Sequence, residues 1–180
     1  MAAAAPTTPP EIDLVRTFVN TVDVEDGTDA LRTTADLTAW LREHAALEPD
    51  ARADRATLAL ALRLRDALRA DLESHHTGAD TGGVEAELDA ICGALPLRYV
   101  SGPEVIAPHG RGAPAALAAV LAASTRSRIL GSWSRLKICP ADDCRWAFYD
   151  ESRNRSRRWC SMEVCGNRSK VRAFRDRTEG

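Results

Sequence analysis

Cys139-Pro-Ala-Asp-Asp-Cys144 and Cys160-Ser-Met-Glu-Val-Cys165 form a C-x4-C-x15-C-x4-C array near the end of a 180-residue chain. The members of each pair are close enough to bend around one ion. Four thiolates then make a closed tetrahedral site with metal–sulfur distances near ~2.3 Å, which scaffolds a fold and leaves no open position for a substrate. Zn2+ is the expected ion. An iron–sulfur cluster also accepts four cysteines, and four incidental thiols are the bland alternative. The matched pairs and their basic surroundings favour zinc over both. The fifth cysteine, Cys92, stands alone in an apolar stretch and reads as a packed thiol.

Positive charge gathers around the same array. Residues 1–134 hold 12 Arg against 19 Asp and Glu, a balance of −7, whereas residues 135–180 hold 12 Lys and Arg against 7 Asp and Glu, a balance of +5. Only two of the 24 cations are Lys, and Ala is abundant, as a GC-rich genome alone would produce, so the position of the arginines is more informative than their type. Arg153, Arg155, Arg157 and Arg158 crowd a turn between the pairs; beyond Cys165, Arg168, Arg172 and Arg175 recur at i, i+4 and i+7, with Lys170 among them. Val171 and Phe174 take the neighbouring face, which is expected to pack on the cysteine knuckle and turn the arginine row outwards. Like charges this dense repel one another unless an anionic partner is present, and a phosphate backbone suits them. A solvated surface helix is the competing reading.

These side chains need a frame. Trp146-Ala-Phe-Tyr149 alternates as a short strand, Arg157-Arg158-Trp159 reads as its partner, and Asn154 sits in the turn, which places a hairpin between the cysteine pairs. Beyond Gly166 nothing breaks a helix to Arg177. Knuckle, hairpin, knuckle and helix make a treble-clef-like module too small to bury an adequate core, so a metal must supply folding energy, on the order of 10–16 kcal/mol in zinc-finger peptides.

Upstream, Ile12, Val15, Val19 and Val22 mark a first helix to about Asn20 or Thr21. A second, capped by Thr33 or Thr34, carries Leu37, Trp40, Leu41 and His44. A long third helix follows Asp50, with Leu58, Ala61, Leu64, Leu68 and Leu72 on its stripe. A fourth runs from Val84 to Leu95, and a fifth opens at Pro114. Between these two, Leu97 and Tyr99 face Val105 and Ile106 across Ser101-Gly102-Pro103-Glu104 as a β-hairpin. The expected fold is α+β: a disordered tail over 1–10, a mostly helical domain with a small β-hairpin over 11–134, and the treble-clef-like zinc module over 135–180.

The string from Arg158-Trp159-Cys160 through Cys165-Gly166-Asn167-Arg168 to Arg172 closely resembles the bacterial CGNR zinc-finger family, as do Trp146, Phe148, Asp150, Ser152, Arg153 and Asn154 between the pairs. Phe18-Val19-Asn20-Thr21, Asp36-Leu37 and Trp40-Leu41 resemble the ABATE domain usually joined to that finger. The resemblance implies a transcription regulator with a DNA-binding finger, sometimes described as stress-related. It also favours DNA over RNA, a choice the residues alone leave open because phosphate-contacting arginines serve either polymer.

Asn20 and Thr21 read either as a plain helix terminus or, if the N-terminal domain senses a small-molecule effector, as the pocket to inspect first. A homodimer is the usual remedy for a small reader with few contacts. His44, His75, His76 and His109 read as surface or capping residues. No nucleophile elbow, phosphate loop or metal-hydrolase motif argues for an enzyme. A finger docking an acidic protein partner is the second reading. The start Met1-Ala-Ala-Ala-Ala-Pro6 lacks an export pattern and no stretch approaches a membrane span, so a reducing cytoplasm is expected.

Overall fold

The computed structural model describes residues 8–78, 81–102 and 105–179. The tail expected over 1–10 therefore lies mostly outside the described residues, as do Ala79 and Asp80 of the third interhelical connection and Pro103 and Glu104 of the hairpin turn.

Helix α1 spans Pro10–Val19, with proline tolerated in its first turn because that N–H has no intrahelical partner. The helix ends close to the expected Asn20 or Thr21, and Val22, counted in its apolar periodicity, lies instead in a two-residue ladder, β1 Val22–Asp23 against β2 Thr28–Asp29. Helix α2, Thr34–His44, opens with a capping box between Thr33 and Asp36. Helix α3 runs over Arg55–Thr77 and starts at the Asp54 cap, later than expected, because the Asp54 carboxylate accepts from the Thr57 amide at 2.8 Å. Gly78 ends α3 with a left-handed φ of 64°, which a side chain would strain. Helix α4 covers Gly82–Ala94, β3 Leu97–Tyr99 pairs antiparallel with β4 Ile106–Pro108, and α5 covers Ala113–Ile129.

Helices α1, α3 and α5 share one apolar core. Ile12, Val15 and Phe18 meet Leu64, Leu68, Leu117 and Val120, all fully buried. Helix α5 is buried nearly all round, and its alanines let neighbouring helices approach closely. Cys92, expected to pack, is exposed instead, because α4 buries only Ile91 fully.

The C-terminal segment begins inside this core. After a short 3-10 turn, Trp133–Arg135, strand β5 Leu136–Ile138 pairs antiparallel with β6 Ala147–Tyr149. Leu136, Ile138 and Ala147 belong to the same buried cluster as the helices. The expected partner of β6, Arg157–Trp159, is not a strand, so the hairpin encloses the first cysteine pair and does not sit between the pairs. Leu136-Lys-Ile138 buries all three residues on α3 and outcompetes the charged segment for the β6 edge. The terminal helix α6, Asn167–Glu179, follows a π turn over Met162–Gly166.

Polar contacts lock the strands to the helices. The Asn20 amide donates to the Ala147 carbonyl at 2.9 Å and accepts from the Ala147 amide at 2.8 Å, completing the β6 edge as a third strand would. Arg69 of α3 donates to the carbonyls of Val19 and Arg145 at 2.8 and 2.9 Å, and His75 Nδ1 donates to the Leu136 carbonyl at 2.8 Å. Replacing Asn20 with Ala strands both Ala147 backbone groups, so Asn20→Ala should lower stability by about 2 kcal/mol in urea unfolding. An unchanged midpoint would mean that water replaces the amide at no cost.

Candidate metal centre and its basic loop

Cys139 leaves β5 with its amide donating to the Trp146 carbonyl at 2.8 Å. The turn then folds back: the amides of Cys144 and Arg145 both donate to the Ala141 carbonyl at 3.0 Å, and Arg145 takes a left-handed φ of 56°. The second pair is built by the π turn. Ser161 caps it, accepting from the Val164 amide at 3.3 Å, and the Gly166 amide returns to the Ser161 carbonyl at 3.1 Å.

All four Sγ atoms lie within 4.8 Å of one another, with 3.5 Å from Cys144 to Cys160 and 3.6 Å from Cys160 to Cys165. These separations are too long for disulfides, whose sulfurs stand about 2.05 Å apart. They match the edges of a tetrahedron of sulfurs around an ion at ~2.3 Å, about 3.8 Å each. Three of the four cysteines are buried, and no histidine belongs to this metal-competent group of described residues. The donor set fits a thiophilic ion held by all four sulfurs.

Protonation in the cluster is uneven. Burial pushes the Cys144 thiol up to about 11 and raises Cys160 further, while neighbouring sulfurs compound the effect at Cys160. Burial would also raise Cys165, but the Arg168 guanidinium, which donates to its sulfur at 3.4 Å, brings it below its ordinary value with help from the other cysteines. The residues after Cys165 each have a local task. A Cβ on Gly166 would lie 2.4 Å from Met162 Sδ and 3.3 Å from the Trp159 ring. Asn167 donates to the Glu163 carbonyl at 2.9 Å, tying α6 to the π turn. Arg168 also reaches Glu25 at 2.9 Å and Asp143 at 3.4 Å, joining the second knuckle to the first and to the β1–β2 turn.

This inward pull corrects the expected orientation of α6. Arg168 and Arg172 turn towards Asp143, whereas Val171 and Phe174, expected to pack on the knuckle, are 50% and 62% exposed. The negative charge of the first turn and of Glu25 captures the guanidinium groups. Lys170 and Arg175 face solvent.

Between the pairs, the loop carrying the arginines is organised by a buried ion pair that spacing did not reveal. Asp150 Oδ1 accepts from the Ser152 amide and hydroxyl at 2.9 and 2.5 Å, and its Oδ2 accepts from Lys137 at 2.7 Å and the Arg157 amide at 2.9 Å. The Lys137 ammonium reaches the carbonyls of Arg155 at 2.7 Å and Arg157 at 3.2 Å as well, so its three donors all find acceptors. Burial would lift the Asp150 carboxyl, but the Lys137 and Ser152 contacts outweigh it and hold it at about 2. Arg157 is drawn inward, lying 5.2 Å from the Phe148 ring and donating to the Trp159 and Cys160 carbonyls. Arg158 lies 5.2 Å from the Trp159 ring, and Arg153, Arg155, Arg157 and Arg158 all remain exposed. One signal for this hub was present in the sequence: Lys137 is one of two lysines in an arginine-rich chain.

Asn20 and Thr21, the candidate pocket residues, have structural work. Asn20 completes the β6 edge, while buried Thr21 donates to the Phe18 carbonyl at 2.7 Å and accepts from Arg65 at 3.2 Å. Among the described residues no helix is long and apolar enough to cross a membrane.

Residues 9–137 match the ABATE family, described as "Putative stress-induced transcription regulator", and residues 135–178 match the CGNR zinc finger. Neither is an enzyme family, and the two matches overlap at residues 135–137, in the approach to and start of β5. No curated protein matches the chain.

Titration of the reduced apoprotein with Co2+ should give the intense visible bands of a tetrahedral thiolate complex, saturating at one ion per chain. The apparent affinity should fall as pH is lowered, because protons on Cys144 and Cys160 compete with the metal. A weak octahedral spectrum would reject the site. Replacing Lys137 with Arg cannot satisfy three convergent acceptors with a planar fork, so Lys137→Arg should destabilise by about 3 kcal/mol, towards the effect of breaking the pair outright. Because the Asp150 carboxyl titrates lower when folded than when unfolded, its contribution should be full near neutral pH and vanish as pH falls towards 2. Acid unfolding that is identical in wild type and Asp150→Asn would contradict this assignment.

Proposed function

Because the chain belongs to the ABATE family and ends in a CGNR zinc finger, we propose that it is a DNA-binding transcription regulator whose four cysteines hold one structural Zn2+. The observation that carries this reading is the arginine loop. Arg153, Arg155 and Arg158 stand exposed on a backbone pinned by the buried Lys137–Asp150 pair. Cations carried on an anchored loop suit a phosphate backbone, since little backbone freedom is lost when they bind. Lys170 and Arg175 add attraction without the same fixed geometry, and Arg168 acts as a support for the cysteine cluster. A four-sulfur shell leaves the metal no open position for a substrate, which favours a reader over a catalyst.

In this reading residues 135–180 form the reader and residues 11–134 the regulatory unit, which senses a ligand or dimerises. The four thiols require a reducing compartment, so the protein acts in the cytoplasm.

Fluorescence anisotropy with duplex DNA tests the proposal. Affinity should drop steeply between low and moderate salt, with a log–log slope that loses about 0.9 for each phosphate contact removed. The Arg153→Ala, Arg155→Ala, Arg158→Ala triple variant should therefore lose a slope of roughly 2 to 3. Chelation should abolish binding. A flat salt response, or a triple variant that binds as wild type does, would sink the proposal; tighter binding to an RNA of the same sequence would reassign the polymer.

A further inference from the structure

Neither the metal centre nor the phosphate-binding loop uses the apolar side of the terminal helix. Val164 in the π turn is 50% exposed, as is Val171 in α6, and Phe174 is 62% exposed. Val171 and Phe174, three residues apart, share one side of α6, and Val164 precedes them in the π turn. Val164 and Val171 line an open groove of about 520 Å3 together with Arg168, Arg172 and Arg175; Glu163 and Asn167 complete the lining, and Phe174 lies beside it. A contiguous apolar row rimmed by charge is a protein-docking surface more than a solvent face.

We propose that this side of α6 docks an acidic amphipathic helix of a partner protein. The partner's apolar stripe covers Val164, Val171 and Phe174, and its carboxylates meet Arg175 and the exposed part of Arg172, whose other contact is Asp143 at 3.3 Å, so that charge complementarity runs along one edge of the helix pair. Other occupants fit less well. A phosphate backbone pairs with the arginines but leaves the apolar row in water. A second copy of α6 offers mostly like charge in return, since the helix carries five cations against two acids. A bilayer calls for a broad apolar face, and this one is a single narrow stripe with arginine within a turn on its flank. The inference is separable from the nucleic-acid reading, because its apolar row lies outside the 151–158 loop that carries that reading; Arg175 is the one cation common to both.

The test uses the full chain and a fluorescent synthetic helix with Leu on one face and Glu on the others, beside a scrambled peptide of equal composition. The amphipathic peptide should bind at least tenfold more tightly than the scramble. Val171→Ser with Phe174→Ser should weaken that binding at least tenfold while leaving duplex-DNA affinity and the melting temperature unchanged, since both side chains are exposed. Equal binding of the two peptides, no binding of either, or indifference of the double variant would overturn the proposal. So would a double variant that instead loses affinity for duplex DNA or for anionic vesicles, or that abolishes self-association seen by sedimentation, because the face would then belong to nucleic acid, membrane or a second copy.

Discussion

Four sulfurs from two segments of chain must share a space less than 5 Å across, and the rest of the C-terminal segment depends on that convergence. The buried cluster around them contains little besides the thiols themselves: Ala141 and Phe148, with Trp159 at the edge. At about 25 cal/mol per Å2 so small an apolar surface cannot order the two turns and the loop between them. An ion bonded to all four sulfurs can, and it also answers the reluctance of Cys144 and Cys160 to ionise.

Around the sulfurs lies a second layer of charge that turns a knuckle into a defined surface. Arg168 links Cys165 to both acidic neighbours, so the cation nearest the sulfurs supports the knuckle from within. Lys137 and Asp150 do for the intervening loop what a strand partner would otherwise do, pinning the backbone at Arg155 and Arg157 while the Arg155 side chain stays exposed. The backbone contacts of the Lys137–Asp150 pair hold the loop in shape against the mutual repulsion of its arginines.

Much of this was legible in the sequence because it is written in local patterns. Cysteine spacing, the apolar stripes of α2 and α3, the Thr33 signal and the Pro114 start need only a few neighbouring residues to be read. The errors arose where distant residues decide. β6 looked suited to Arg157–Trp159 because the two lie close in sequence, yet Leu136–Ile138 takes the edge by virtue of burial on α3. Val171 and Phe174 looked like a packing face until Asp143 and Glu25, 25 or more residues away from the arginines they attract, turned the helix the other way. Asn20 could be singled out, but its role could not, since its partner Ala147 lies 127 residues on.

Strand β5 is seated among the helices, and Asn20 hydrogen-bonds to the opposite strand of the same hairpin. No slack hinge separates the two halves, so the basic loop cannot search space like a bead on a string. A signal received by the helical half would have to travel as displacement of packed groups, through α3 and its grip on Val19 and Arg145. Recombination that moved this finger onto a new host would carry an exposed greasy strand with it, and the graft would hold only where the host offers a matching hydrophobic seat.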